Sequence, residues 1–410
     1  MRTFRFLVLG ALAASALTAV ACGDDDNAPR VRPDGGVATT DAGADADTDG
    51  STTACGITIP ATYEAPDYAT NAGVELAARQ AFDAFLKPMK DFESGSLDGG
   101  APAAVTATEL AAKFSAGTPS VRGITSVYYQ GRVDGWISDY EPASAGGAYA
   151  PSDPPPAQGG KLANNAGTSV WVFNPRGIDL RQAIEKGLFN AAFYAHALEI
   201  TKAGAEITPA TIDRLVAAFG AHPSFQNDHL AAQNKDVNAA GYAARRDSKN
   251  PAKPGPYQRA QKALITAKAA AAAGDKCVAD RDKAIADFLL EWEKSQYATV
   301  VYYSNDMANK LAANPRDPGA ILHAHGEVVG FVAGFRTLDA TRRKITDAQI
   351  DALLAKLYTP EGAPPEAYKI MTGNLAEVTA NLTGIISDIK GIYGFSDAEI
   401  ADFKVNFTKQ

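Results

Sequence analysis

Cysteine, histidine, methionine and tryptophan are all scarce in this chain: its 410 residues include three Cys, five His, four Met and three Trp. Five histidines leave little room for a haem or a multinuclear metal centre, and no cysteine pair has the spacing of a zinc ribbon or a redox motif. Positive charge is also short, with 39 Lys and Arg against 47 Asp and Glu and a net charge of −8. That balance provides no electrostatic footprint for nucleic acid or an anionic membrane surface. The signatures of nucleophilic and nucleotide chemistry are missing too: there is no Gly-x-Ser-x-Gly elbow, phosphate loop, dinucleotide fingerprint or His-Glu-x-x-His helix.

The longest apolar run lies at the start, Phe6–Val20, behind Arg2 and Arg5. It is too short and too rich in alanine to span a bilayer stably, and it reads as an export signal occupying residues 1–21. The cut site Leu17-Thr18-Ala19-Val20-Ala21-Cys22 places small residues at −3 and −1 and a cysteine at +1. This spacing predicts a mature chain that begins at an acylated Cys22 and is held to the lipid bilayer by it. Gly23 follows where some inner-membrane lipoproteins carry aspartate, which favours the outer membrane over the inner membrane of the cell envelope. Residues 22–54 are a spacer rich in Asp, Gly, Ala, Thr and Pro, with eight aspartates against Arg30 and Arg32. Without aromatic residues or an apolar period, such a segment cannot bury enough surface to offset its ordering entropy. With the spacer and the signal's two arginines set aside, the body at 55–410 carries about −4. Within the spacer, Asp45, Asp47, Asp49 and Gly50 begin like a calcium loop, but the twelfth position, where a bidentate carboxylate is needed, is Gly56.

Once Cys22 is modified, Cys55 and Cys277 remain. In an oxidising compartment they are expected to form a disulfide, the alternative being two free thiols.

Apolar residues of the body recur at helical spacing. Ile285, Phe288, Leu289, Trp292, Thr299 and Tyr303 fall on one stripe of a long amphipathic helix over 279–305. Thr346 with Gln349, Ser396 with Glu399, Thr106 with Glu109, and Thr208 followed by Pro209 mark four helix starts. Together they predict an all-α fold, a multi-helix bundle. Residues 207–215 and 345–353 share Ile, Thr, Ala, Ile, Asp and Leu at corresponding places, which suggests two helical lobes related by duplication. The match dies away upstream, and convergent capping chemistry accounts for it as well. Residues 141–167 and 223–257 are dense in turn formers and read as irregular. Between them, Ser169–Phe173 and the turn Asn174-Pro175-Arg176-Gly177 predict a small β-hairpin near Trp171 leading into a helix from Leu180.

Several separated motifs resemble an uncharacterised bacterial lipoprotein family, a domain of unknown function. They are the run from Gly177 to Tyr194, Arg281-Asp282 with Glu291-Trp292-Glu293-Lys294, His323-Ala-His-Gly-Glu327 with Gly330-Phe331, and Lys344-Ile345-Thr346. The resemblance holds in order and spacing over most of 60–410. More loosely, the chain is similar to imelysin-like exported proteins, helical bundles associated with iron uptake that carry a Gly-x-His-x-x-Glu motif. Here the corresponding residues are Tyr194-Ala195-His196-Ala197-Leu198-Glu199, with tyrosine in the glycine place. Where family members carry Glu-His-His-Trp-Asp-Glu, this chain has Gln233-Asn234-Lys235-Asp236-Val237-Asn238, without the histidines and both glutamates.

His323 and Glu327 lie four apart and share a helix face, beside a flat ridge of Gly326, Gly330 and Gly334. The functional reading is a half-site for iron, zinc or copper at an interhelical seam, completed by His196 and Glu199. The structural reading is a buried histidine held in one tautomer by its carboxylate and bonded across the seam. The function expected is that of an anchored lipoprotein binding a small ligand or metal, linked through the resemblance to iron or metal acquisition. The alternative is a non-catalytic envelope scaffold that engages another envelope protein. A metal-dependent peptidase is a remote third, because it would need an activated water, a base and a complete metal shell.

Overall fold

A computed structural model describes residues 53–248 and 252–407. The export signal, Cys22 and almost all of the acidic spacer lie outside the described residues. In chain order the N-terminal helices are α1 (Tyr68–Asn71), α2 (Gly73–Gly95), α3 (Ala107–Phe114), α4 (Val121–Ile124) and α5 (Val127–Ala145). Two strands follow, β1 (Gly160–Ala163) and β2 (Val170–Phe173), then α6 (Leu180–Leu188), α7 (Ala195–Ile200), α8 (Pro209–Phe219), α9 (Asn238–Arg245) and α10 (Pro256–Ala272). The remainder consists of α11 (Val278–Ala312), α12 (Pro318–Ala333), α13 (Asp347–Lys356), α14 (Lys369–Thr372), α15 (Leu375–Tyr393) and α16 (Asp397–Phe403). The fold is an all-α multi-helix bundle with one two-stranded antiparallel hairpin, in which Leu162 pairs with Trp171.

The four helix starts read from the sequence all form. Thr106 accepts the Glu109 amide at the start of α3, and reciprocal capping boxes close α8 at Thr208, α13 at Thr346 and α16 at Ser396. Each satisfies backbone amides that the first helical turn leaves without intrahelical partners. The predicted amphipathic helix is α11, which runs 35 residues and buries Ile285, Phe288, Leu289, Trp292, Thr299 and Tyr303. Its Glu293 is fully buried and accepts from the Lys344 amide (2.8 Å), the Ile345 amide (2.7 Å) and the Tyr393 hydroxyl (2.7 Å). One carboxylate thus joins the middle of α11 to the start of α13 and the end of α15.

Two expectations change. The irregular stretch expected at 223–257 contains α9, and the loop expected at 141–167 begins only after Ala145 and contains β1. The sequence of α9, Asn-Ala-Ala-Gly-Tyr-Ala-Ala-Arg, lacks the large apolar residues that mark a helical period. Its small side chains are buried instead. A single apolar core runs from Tyr63 to Phe403, so the described residues form no pair of separate helical lobes.

The most extensive packing joins α10 to α11, α6 to α12, α11 to α12 and α11 to α15. All nine residues of α6 are buried, and the chain continues from it through a π-helical segment, Phe189–Tyr194, into α7. Among the described residues no helix is long and apolar enough to cross a membrane.

Candidate functional site

The segment between β2 and α6 positions two different groups of charges. Asn174 Oδ1 accepts the backbone amides of Arg176 (3.1 Å) and Ile178 (3.0 Å), which fixes the turn. Gly177 has φ +86°, and a Cβ there would stand 2.7 Å from the Tyr368 amide nitrogen, so both conformation and space require glycine. Two residues later Asp179 caps α6, accepting the Gln182 amide at 3.1 Å. Its other carboxylate oxygen lies 3.0 Å from His323 Nδ1 on α12.

The glycine ridge of α12 packs against α6 as its spacing predicts. A Cβ at Gly326 would stand 2.6 Å from Asp179 Cβ, at Gly330 2.9 Å from the Ala183 carbonyl oxygen, and at Gly334 2.5 Å from the Gly187 carbonyl oxygen. This close approach creates a buried charge centre in the seam. Arg181 bonds Glu93 (2.6 Å) and Glu185 (2.7 Å), Lys186 lies 3.3 Å from Glu327, and Lys90 reaches Glu185 from the rim at 3.3 Å. Tyr242 donates to Glu327 at 3.3 Å, and the His323 ring stacks on Trp171 with centroids 4.3 Å apart.

Burial opposes charge on His323, but the bond its Nδ1 makes to Asp179 and the field of Glu327 outweigh it and hold the imidazole above its usual range. Burial and the neighbouring Asp179 push Glu93 up to about 7, against the pull of Arg181. The carboxylates Glu93, Asp179, Glu185 and Glu327 face the cations Arg181, Lys186 and Lys90. One proton, held at His323 or Glu93, brings the group to neutrality, the condition under which a buried charge cluster is tolerable.

The candidate residues therefore separate. His323 is bonded to Asp179, not Glu327, while Glu327 takes Lys186 and Tyr242. His196 does not join them: its Nε2 is bonded to Glu75 Oε1 at 2.8 Å, and Arg214 reaches the same oxygen. Burial raises the Glu75 pKa, but those bonds from His196 and Arg214 outweigh it and leave the carboxyl below its usual range. Glu199 is an exposed partner of Lys202. The four-residue site expected from His323, Glu327, His196 and Glu199 does not form, because the buried imidazoles and carboxylates have nearer charge partners. Asp179, the carboxylate actually paired with His323, has a sequence signal in its position before Leu180 and three residues before Gln182, the pattern of a helix cap. His325 is a core histidine that bonds the Leu357 carbonyl at 2.8 Å.

Cys55 and Cys277 form the expected disulfide, with Cα atoms 5.4 Å apart. With Asp280 they bring three potential metal-ligating atoms within 4.8 Å of one another. In the bridged form neither sulfur is a thiolate, the species that binds metal, and Asp280 accepts the Cys55 amide at 2.8 Å.

A cleft adjoins the turn at Arg176. It has a volume of about 570 Å³ and lies between one face of α5 and the segment 359–365. The α5 wall presents Gly131, Gly135, Trp136 and Asp139, and Arg176 stands on the turn beside them. A Cβ at Gly131 or Gly135 would meet no atom within 4 Å. These mid-helix glycines thus cost helix propensity without serving any packing contact, unlike those of α12.

The chain matches no family model, no curated protein and no solved structure. Its functional reading rests on this geometry and on the motifs in its sequence.

Proposed function

We propose that this chain is an exported binding protein, anchored to a membrane by acylated Cys22, that takes a small ligand in the cleft between α5 and 359–365. The observation that carries this reading is the cleft itself, whose volume falls within the range of small-molecule sites and whose helical wall is cut back at two glycines. The proposal moves the ligand away from the His323 seam. There the carboxylates hold Arg181, Lys186 and Lys90, so iron or another divalent metal would have to displace ion pairs. At Cys55, Cys277 and Asp280 a metal would first need the disulfide reduced. We therefore assign the seam a structural role and the cleft a binding role. The resemblance of its motifs to exported lipoproteins of unknown function and to imelysin-like proteins supports export and anchoring alone.

The test is a thermal-shift screen of the mature chain against small metabolites and Fe²⁺, Zn²⁺ and Cu²⁺, repeated on Gly135→Phe and His323→Ala. A ligand of the cleft raises the melting temperature of the wild type and of His323→Ala, and does not raise that of Gly135→Phe, whose side chain fills the cleft. His323→Ala itself starts lower, by roughly 3–5 kcal/mol, because Asp179 is left buried without its partner. A response retained by Gly135→Phe, or lost only in His323→Ala, overturns the assignment. For the anchor, Cys22→Ser is expected to move the protein from the membrane fraction to the soluble fraction.

A further inference from the structure

Most charges on the inner parts of this protein are paired. Arg181 holds Glu93 and Glu185, Lys268 holds Asp213, and in the wall of the cleft Arg132 holds Glu361 at 2.6 Å while Tyr128 donates to the same carboxylate at 2.6 Å. Arg176 and Asp139 differ. Both are half-buried and both line the cleft. Among the described residues, the Arg176 guanidinium makes no hydrogen bond and no ion pair, and Asp139 has no cation partner. Glu366, whose carboxyl feels Arg176, is itself bonded to Lys369 at 2.7 Å. One residue links the two positions: Asn174 donates to Asp139 Oδ2 at 3.0 Å and accepts the Arg176 backbone amide at 3.1 Å. The Arg176 carbonyl is fixed as well, accepting the Tyr368 amide at 3.0 Å.

From this arrangement we infer that the cleft takes a short zwitterionic peptide, its carboxylate on Arg176, its ammonium on Asp139 and its apolar side chains against Trp136. A guanidinium offers a planar fork that matches a carboxylate, and a carboxylate without a cation is an acceptor for an ammonium group. A simple anion would satisfy Arg176 and bring negative charge towards Asp139, and a simple cation would do the reverse. A ligand carrying both signs answers both groups. The volume, about 570 Å³, suits a di- or tripeptide, whose apolar side chains would lie over Pro360, Pro364 and Pro365 and against the Trp136 ring. Opening α5 at Gly131 and Gly135 makes room for that body beside the indole.

This inference rests on the reading of the cleft as a ligand site. Its test is titration calorimetry of the wild type with leucyl-leucine, with the N-acetylated form and with the C-terminal amide. The free dipeptide is expected to bind, and blocking either end to weaken binding at least tenfold. Arg176→Gln should abolish the preference for the free carboxylate while keeping the preference for the free amine, and Asp139→Asn should do the opposite. Blocked forms that bind as tightly as the free dipeptide, or no binding of the free dipeptide, overturn the inference on wild-type protein alone. If another ligand protects the wild type and not Gly135→Phe while the dipeptide fails, the cleft stands and its zwitterionic character falls. If Gly135→Phe leaves every response intact, the cleft itself falls.

Discussion

A buried histidine next to a carboxylate was visible in the sequence, yet the role of each residue was set by partners far away in the chain. His323 and Glu327 share the face expected from their spacing, but Asp179 and Lys186 from α6 take their bonds. The consequence is a pH dependence whose direction can be worked out. Glu93 in the folded state keeps its proton up to about 7, whereas an unfolded glutamate releases it near 4.5, so folding loses this contribution as pH rises between those values. His323, also raised in the folded state, adds stability that is present below its unfolded value of 6.5 and is lost as pH rises through the folded value. His325 and His229 act on the acid side. Burial lowers both to about 4, so stability falls as pH drops from 6.5 towards that value. Melting temperature should therefore peak in mildly acidic to neutral solution. Glu93→Gln should flatten the alkaline limb and leave the acid limb in place, as read by thermal melts from pH 4 to 9. An alkaline limb unchanged in that variant would show that Arg181, Asp179 and His323 do not pass their charge balance through Glu93.

At the scale of the element, glycine has two meanings in this chain, and the sequence distinguishes them only in part. Gly326, Gly330 and Gly334 recur every four residues, a period that signals close helix approach, and α6 is the helix that approaches. Gly131 and Gly135 have the same spacing, yet their face of α5 meets a cleft. What separates the two cases is tertiary packing, which periodicity does not encode. The same boundary governs the rest of the fold. Capping chemistry is local, so the starts at Thr106, Thr208, Thr346 and Ser396 were legible. The stripe of α11 was legible because large apolar residues mark it. The small-residue helix α9 was not, since alanine and glycine carry almost no period. The open charges of the cleft were hidden for a further reason: nothing in the turn Asn174–Gly177 tells that Arg176 will lack an acid and Asp139 a base. The contrast predicts opposite effects of one methyl group. Gly135→Ala should stabilise the protein by about 0.5–1 kcal/mol, because it removes backbone entropy from the unfolded chain and meets no neighbour. Gly330→Ala should destabilise it by about 1–3 kcal/mol, because the Cβ would press on the α6 backbone. Urea denaturation of the two variants checks both signs, and a stabilised Gly330→Ala would mean that the α6–α12 seam yields more easily than its distances suggest.

On the scale of the whole molecule, one covalent bond encloses most of the bundle. Cys55 lies near the start of the described chain and Cys277 at the entry of α11, 222 residues later, so the loop between them contains every helix from α1 to α10. Such a link acts mainly on the unfolded chain, whose freedom falls with the length of loop closed; at this length the chain-entropy argument gives at most roughly 5 kcal/mol. Native contacts at the bridge contribute in addition, since Asp280 accepts the Cys55 amide and Cys277 is buried. Replacing both cysteines by serine should therefore lower the urea midpoint substantially and leave the helical spectrum of the folded state unchanged. Reductant should bring the wild type towards the variant and have no effect on the variant itself. The cleft lies between α5, inside the closed loop, and 359–365, outside it. Ligand binding by the double variant should accordingly survive at temperatures where it remains folded, because α6 and α12 hold the two walls through the seam and not through the disulfide. Loss of binding before loss of helical signal would show instead that the bridge tunes the cleft directly.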